Sequence, residues 1–278
     1  MSPLPRHAGA AVSPPDARAR AWRPPSVWPW PWMAPVAWAA AAAFLVWNVV
    51  SLEVNPERIA RGLSRLGDVA GRAFPPDFHR TALLVGGVLE SIEIATLSTL
   101  LGVVLGIPVA VLAARNVVPL PVYAAGRGTI TLGRTFHELI VGILFVKAVG
   151  FGPLAGVLTL TVNSVGFFSK LLAEQIEIID RGQIEAVRAT GASRAQVLIF
   201  GVLPQVLPRV IGLTIYQWDV HLRQSTIIGI VGAGGIGATL LNAFSRYDYD
   251  FALAILLVIV GIVLVGEAVS AIARRAVQ

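Results

Sequence analysis

The 278-residue chain is 55% hydrophobic and only 14% charged, with a formal net charge of +6 and a mean hydropathy of +0.73. Soluble domains carry about 25% charged residues, so this composition excludes an ordinary soluble enzyme or binding module. The absence of cysteine excludes disulfides and thiolate metal sites, and no basic run interleaved with aromatics points to nucleic acid.

Residues 1–33, rich in Pro, Arg and Ala, predict a disordered tail with Trp22, Trp28, Trp30 and Trp32 where an aromatic belt would lie. The uncharged run Val36–Leu52 follows a bulky proline-rich tail and predicts a retained first span over 34–52, not a cleaved signal. The 53–80 segment, with five Arg against four acids, reads as a long loop on the opposite side of the membrane. Further spans are predicted near 88–114, 128–149, 151–171, 207–230 and 251–273. Their apolar runs include Ala95–Ala114, Phe151–Ser169 and Phe251–Gly266, set against the roughly 20 residues that a helix needs to cross the hydrocarbon core. The third span is interrupted by Arg134, His137, Glu138 and Lys147, and the fifth by Asp219, His221 and Arg223. Lipid leaves a spanning backbone no open arrangement except the helix, so the fold class is all-α, a polytopic protein of six spans with its core over 81–275.

Lys and Arg distribution sets the orientation. Arg6, Arg18, Arg20 and Arg23 lie before the first span, Arg115 and Arg127 between the second and third, and Arg274 and Arg275 after the last. With six spans these share a side with the 172–206 loop and its Arg181, Arg188 and Arg194. Both termini and that loop are expected in the cytoplasm.

The 172–206 loop is a polar interruption between apolar runs. Leu171–Ile179 reads as a helix leaving the membrane, with Asp180-Arg181-Gly182 as its break. Ile184–Thr190 predicts about two helical turns, marginal without packing and ended by Gly191, the residue suited to a left-handed cap. Ser193 is placed to cap a following helix, and Pro204 and Pro208 mark kinks on re-entry into lipid. Such a short rigid helix held crosswise between two spans can act as a lever.

Glu185-Ala186, Gly191 and then, nine residues on, Gly201-Val202-Leu203-Pro204 resemble the signature of inner-membrane permeases of ABC importers. Val187 stands where alanine is commonest and Gly201 where isoleucine is usual. Arg134–Leu139, Phe145–Gly156, Lys170–Glu174, Glu185–Ser193, Val202–Pro208 and Ser225–Gly237 extend the resemblance to the phosphonate-type branch, with His137 where that group has proline. The resemblance implies a type-1 (MetI-like) permease fold. It makes the Glu185 loop the helix that docks on an ATPase, through Glu185, Ala186, Gly191, Leu203 and Pro204. It further implies a second copy of this chain, two ABC ATPase subunits that use ATP and Mg, and an extracytoplasmic solute-binding protein. This chain itself would bind no cofactor, and the solute would be a phosphonate or related phosphorus oxyanion. Alternatives are a permease for methionine or a quaternary amine, or an ion-driven secondary transporter. The latter often shows broken helices in two related halves, and no internal repeat is visible here.

Gly232-Ala233-Gly234-Gly235-Ile236-Gly237 follows a strand-like Ile227–Val231 and matches a dinucleotide-site pattern. No βαβ context surrounds it, so a flexible glycine turn at the outer end of span five is expected. No Walker A lysine motif occurs, which assigns ATP hydrolysis to a separate chain. Asp219 and Arg223 have the i,i+4 spacing of a helix ion pair. Ionisable groups inside a membrane usually face a protein interior or an aqueous cavity, so Arg223, with Ser225 and Thr226, is a candidate lining for an anion pathway. Arg134 and Glu138 predict a second such pair, Glu90 and Glu93 a solvated interface, and Lys147 a snorkelling side chain. The four histidines are scattered, and no metal cluster or catalytic constellation is visible.

Overall fold

The computed structural model describes residues 30, 32–52 and 55–277; Trp22, Trp28 and the tail around them lie outside the described residues. Every regular element among the described residues is helical. The chain divides into two compact units, Met1–Leu63 and Ser64–Gln278.

In the first unit, α1 (Met33–Ser51) is alanine-rich and long and apolar enough to cross a membrane. Asn48, the polar interruption, donates its side-chain amide to the Phe44 carbonyl at 2.7 Å, so the helix itself satisfies it. The segment expected as a loop over 53–80 contains a second helix, α2 (Pro56–Ala73). Asn55 caps it by accepting from the Glu57 N–H at 2.9 Å, and Pro56 supplies a preset φ at the first position. Ile59, Leu63, Leu66 and Ala70 recur at i, i+4, i+7 and i+11 on one stripe, opposite Arg58, Arg61, Arg65 and Arg72. Charge balance alone concealed this period.

The second unit begins within α2, at Ser64, and contains α3 (Thr81–Leu112), α4 (Leu120–Thr135), α5 (Glu138–Val149), α6 (Pro153–Glu177), α7 (Arg181–Ala189) and α8 (Arg194–Val197). A π-helical turn at Leu198–Val202 leads into α9 (Leu203–Gly229), α10 (Gly235–Ser245) and α11 (Tyr249–Val277). Among the described residues five helical runs are long and apolar enough to cross a membrane, or six if α4 and α5 count as one broken span. The third span is therefore not the straight helix expected over 128–149, because α4 and α5 meet at 85°. Phe136 and His137 are extended, and His137 caps α5 by accepting from the Leu139 N–H at 3.3 Å. His137 thus breaks the helix by capping, where a proline would do so by lacking an N–H. Arg134 and Glu138 consequently lie on different helices, and no ion pair joins them among the described residues. The strand-like 227–231 segment is the last turn of α9 and its exit, and the stretch between the spans predicted near 207–230 and 251–273 contains α10.

The long helices α3 and α6 form the central pair, crossed by α9. Small residues let the backbones approach, as van der Waals packing inside a bilayer requires. Gly102 lies against Ser164, where a β-carbon would collide with the hydroxyl, and the Ser169 hydroxyl donates to the Gly106 carbonyl at 2.9 Å. One apolar cluster at the α7 end gathers Ala110, Ile130, Phe168, Leu172, Ile176 and Val206. At the glycine-turn end, Ile94, Leu160 and Ile228 form a second cluster, and Leu84, Ile236, Phe251 and Ile255 a third.

Candidate functional site

The α7 helix owes its position to three local devices. Asp180 caps its start, with Oδ1 accepting from the Gly182 N–H at 2.8 Å. Gly191, at φ +79°, ends it in the left-handed conformation that only glycine adopts at little cost. Ser193 and Gln196 then form a reciprocal capping box: the Ser193 N–H donates to Gln196 Oε1 at 2.8 Å, and the Gln196 N–H to Ser193 Oγ at 3.4 Å. Ile184 and Val187, one turn apart, are half-buried against the π turn, while Glu185, Ala186, Arg188 and Ala189 are exposed. The helix therefore has one face seated on its own chain and another turned outward.

The two departures from the family signature meet here. A β-carbon on Gly201 would stand 3.8 Å from Val187 Cγ2 and 3.5 Å from Ile184 Cα. A larger residue at 187 faces a smaller one at 201, which conserves volume in the contact. The π turn itself fits Pro204, which has no N–H for the Phe200 carbonyl, so the chain widens before α9. Leu203 and Pro204 are exposed at its start.

Gln205 is the main residue missed by sequence reading. Its Oε1 accepts from the Asp180 N–H at 2.9 Å, and its Nε2 donates to the Gly201 carbonyl at 2.7 Å and the Asp180 carbonyl at 3.3 Å. One amide thus clamps the start of α7 to the foot of α9. The end of α6 is tied as well. Glu177 Oε1 accepts from the Arg115 N–H at 2.8 Å and from Arg127 Nη2 at 3.0 Å, and Asn116 donates to the Ile176 carbonyl at 2.8 Å. Gln205 thus ties the start of α7 to α9, while Glu177 and Asn116 tie the end of α6 to α4 and the turn before it.

Farther along α9, Arg223 Nη2 lies 2.8 Å from Asp219 Oδ2; the aspartate side chain is 8% exposed and the arginine 41%. The predicted pair forms, and the guanidinium keeps further N–H donors free of that contact. Thr226 is half-buried. Ser225 is fully buried and its hydroxyl donates to the Leu222 carbonyl at 2.8 Å, so its proton is already committed. That counts against Ser225 as a donor to a passing anion. His221, also fully buried, joins α9 to α3. The Thr99 hydroxyl donates to the Ala95 carbonyl at 2.7 Å, so its oxygen accepts from His221 Nδ1 at 2.9 Å, and His221 Nε2 accepts from Gln217 Nε2 at 2.8 Å. That set of partners assigns a neutral ring with its proton on Nδ1.

The glycine run is a turn, as expected, but a packed one. Gly232, Gly234 and Gly235 have φ of +91°, +83° and +73°. The Gly152 N–H donates to the Gly232 carbonyl at 3.0 Å, and the Ile236 N–H to Ser91 Oγ at 2.9 Å. Gly237 lets α10 press on α9, since a β-carbon there would strike the Thr226 carbonyl. Glu90 lies against this turn: a β-carbon on Gly234 would stand 2.7 Å from its Oε1. Glu93 alone of that pair is exposed.

Residues 106–278 match the family described as "Binding-protein-dependent transport system inner membrane component". The phosphite transport system permease protein PtxC of Stutzerimonas stutzeri is 40% identical over 230 residues, covering 82% of this chain and 83% of that relative. The phosphate-import permease protein PhnE of Mycolicibacterium smegmatis is 39% identical over 223 residues, covering 80% of this chain and 42% of the relative. Among solved structures, the inward-facing MetNI methionine ABC transporter superposes with a TM-score of 0.64 at 25% identity, over 73% of this chain and 99% of that one. The all-α core, the seated helix between two spans and these likenesses agree: the chain belongs to the inner-membrane components of binding-protein-dependent transport systems, the permease subunits of ABC importers.

Proposed function

We propose that this permease carries phosphite, a phosphonate or a related phosphorus oxyanion. The observation that carries this reading is the 40% identity to a phosphite permease across four-fifths of both chains. In the working complex two copies of the chain pair with two ATPases that use ATP and Mg, and an extracytoplasmic binding protein delivers the solute. Both termini and α7 face the cytoplasm, as the arginine distribution supports. The chain's own part is mechanical. Closure of the ATPases draws the two α7 helices together, Gln205 passes that movement to α9, Glu177 holds the end of α6 on the Arg115–Arg127 segment, and the spans alternate between outward and inward access. Hydrolysis resets them.

The Asp219–Arg223 pair supports an anion route along α9, with Arg223 supplying charge and N–H donors and Thr226 a hydroxyl beside it. Removing only the arginine would leave Asp219, 8% exposed, without its partner, which destabilises the fold as well as the route. The informative variant is therefore Asp219→Asn combined with Arg223→Gln. It is expected to assemble normally yet import about tenfold less solute, the scale set by lost charge-assisted hydrogen bonds. Undiminished uptake would remove Arg223 from the route. The solute reading is tested by uptake of phosphite, methylphosphonate and methionine through the reconstituted importer. Uptake of the phosphorus oxyanions supports it, and uptake of methionine alone overturns it.

A further inference from the structure

We propose that Arg209 and Arg274 form an anion site for a tetrahedral phosphorus oxyanion at the foot of α9, beside the α7 clamp. A cavity of about 700 Å³ is lined there by Gln175, Gln205, Arg209, Gly212, Leu213 and Arg274. Its volume falls within the range of ligand pockets. Two guanidinium groups line it, and no carboxylate does.

The acids nearest Gln175 in the chain are already engaged, and Glu267, two turns before Arg274 on α11, does not line the cavity. Glu174 lies 3.8 Å from Lys170, Glu177 holds Arg127, and Asp180 caps α7. Among the described residues neither Arg209 nor Arg274 has an acidic partner within 4.0 Å. Two cationic groups lining one cavity with no carboxylate favour an anion there, and arginine's planar fork suits phosphate-type oxygens in particular.

Gly212 adds an independent sign. It lies within α9, where glycine costs about 0.5–1 kcal/mol relative to alanine, and it has ordinary helical backbone. A β-carbon there would meet nothing within 4 Å. No packing constraint demands glycine; what its lack of a side chain preserves is the cavity. The Gln205 wall is fixed because its Nε2 donates to the Asp180 and Gly201 carbonyls and its Oε1 accepts from the Asp180 N–H. The site stands whichever solute is carried, since its chemistry comes from the arginines and not from the transport reading. The oxyanion could be a soluble one arriving from the pathway, or a phospholipid headgroup.

The test uses the full permease–ATPase complex, without binding protein or nucleotide, in phosphatidylcholine nanodiscs. Methylphosphonate binding is followed by saturation transfer to its methyl protons. The double variant Arg209→Gln with Arg274→Gln is expected to bind about tenfold or more weakly, as loss of charge-assisted hydrogen bonds implies. Gly212→Phe should weaken binding similarly by occupying the cavity without changing its charge. Replacement of both arginines by lysine should retain only part of the binding, since it keeps the charge but loses the planar fork. Nanodiscs containing phosphatidylglycerol separate the sources: persistence of the methylphosphonate signal assigns the site to soluble anions. Its displacement, with phosphatidylglycerol retained by the wild type but not the glutamine variant in native mass spectrometry, assigns it to a headgroup. Equal binding of both probes by wild type and the glutamine variant would overturn the site.

Discussion

Glu185→Lys is expected to lower solute uptake about tenfold or more, because like-charge contacts at a docked interface cost several kcal/mol. The same substitution should leave the amount of folded permease in the membrane unchanged. Glu185 is exposed on the outward face of α7 and has no ion-pair partner among the described residues. Surface changes of that kind usually alter stability by no more than about 0.5 kcal/mol. A large functional loss must therefore arise in the partner, not in the fold of this chain. Measuring uptake, ATPase stimulation and co-purification of the ATPase in parallel separates failure of docking from failure of transmission. Normal uptake and normal stimulation would show that the outward face of α7 does not govern coupling.

Gly237→Ala is expected to destabilise the protein by about 1–3 kcal/mol, the usual cost of forcing extra volume into a packed site. The added β-carbon meets the Thr226 carbonyl, and it would also stand 3.1 Å from Gly229 Cα, so backbone and not a flexible side chain must move. Separation of α10 from α9 would disturb the third apolar cluster, where Ile236 and Leu240 pack with Phe251 and Ile255. Thermal unfolding followed by circular dichroism is a suitable readout for a protein without cysteine. Gly86→Ala, with nothing within 4 Å of its new β-carbon in α3, is the control and should melt at or slightly above the wild type, since alanine is favoured over glycine inside a helix by about 0.5–1 kcal/mol. If both variants melt together, the glycine turn is not the packed junction described above.

Much of this architecture was legible in the sequence because single residues impose it. Gly191 announces a left-handed cap, Ser193 a helix start, and the uncharged runs their spans. The i,i+4 spacing of Asp219 and Arg223 was enough to predict their pair. Long-range contacts were not legible. Gln205 reaches Asp180 across 25 residues, and Thr99 reaches His221 across 122; no local pattern announces either. The break at Phe136-His137 escaped because its cause is a histidine side chain acting as a cap, where proline or glycine would have been visible. The α2 helix escaped because its arginines and acids were counted by sign instead of by period, although Ile59, Leu63, Leu66 and Ala70 carry that period plainly. Gly232–Gly237 was read as a flexible turn; its contacts with Pro153, Ser91 and Thr226 make it a close-packed one.

Transmission through the outward face of α7 is the central claim, and cross-linking tests it most directly. Ala186→Cys would be the only thiol in a chain that otherwise has none. In membranes holding the assembled importer, a short thiol-directed photo-cross-linker at that position is expected to join the permease to the ATPase subunit, with a yield that changes when ATP is added. A membrane-impermeant maleimide applied from the outside should fail to label it. Labelling from outside, or no adduct with the ATPase, would contradict the account.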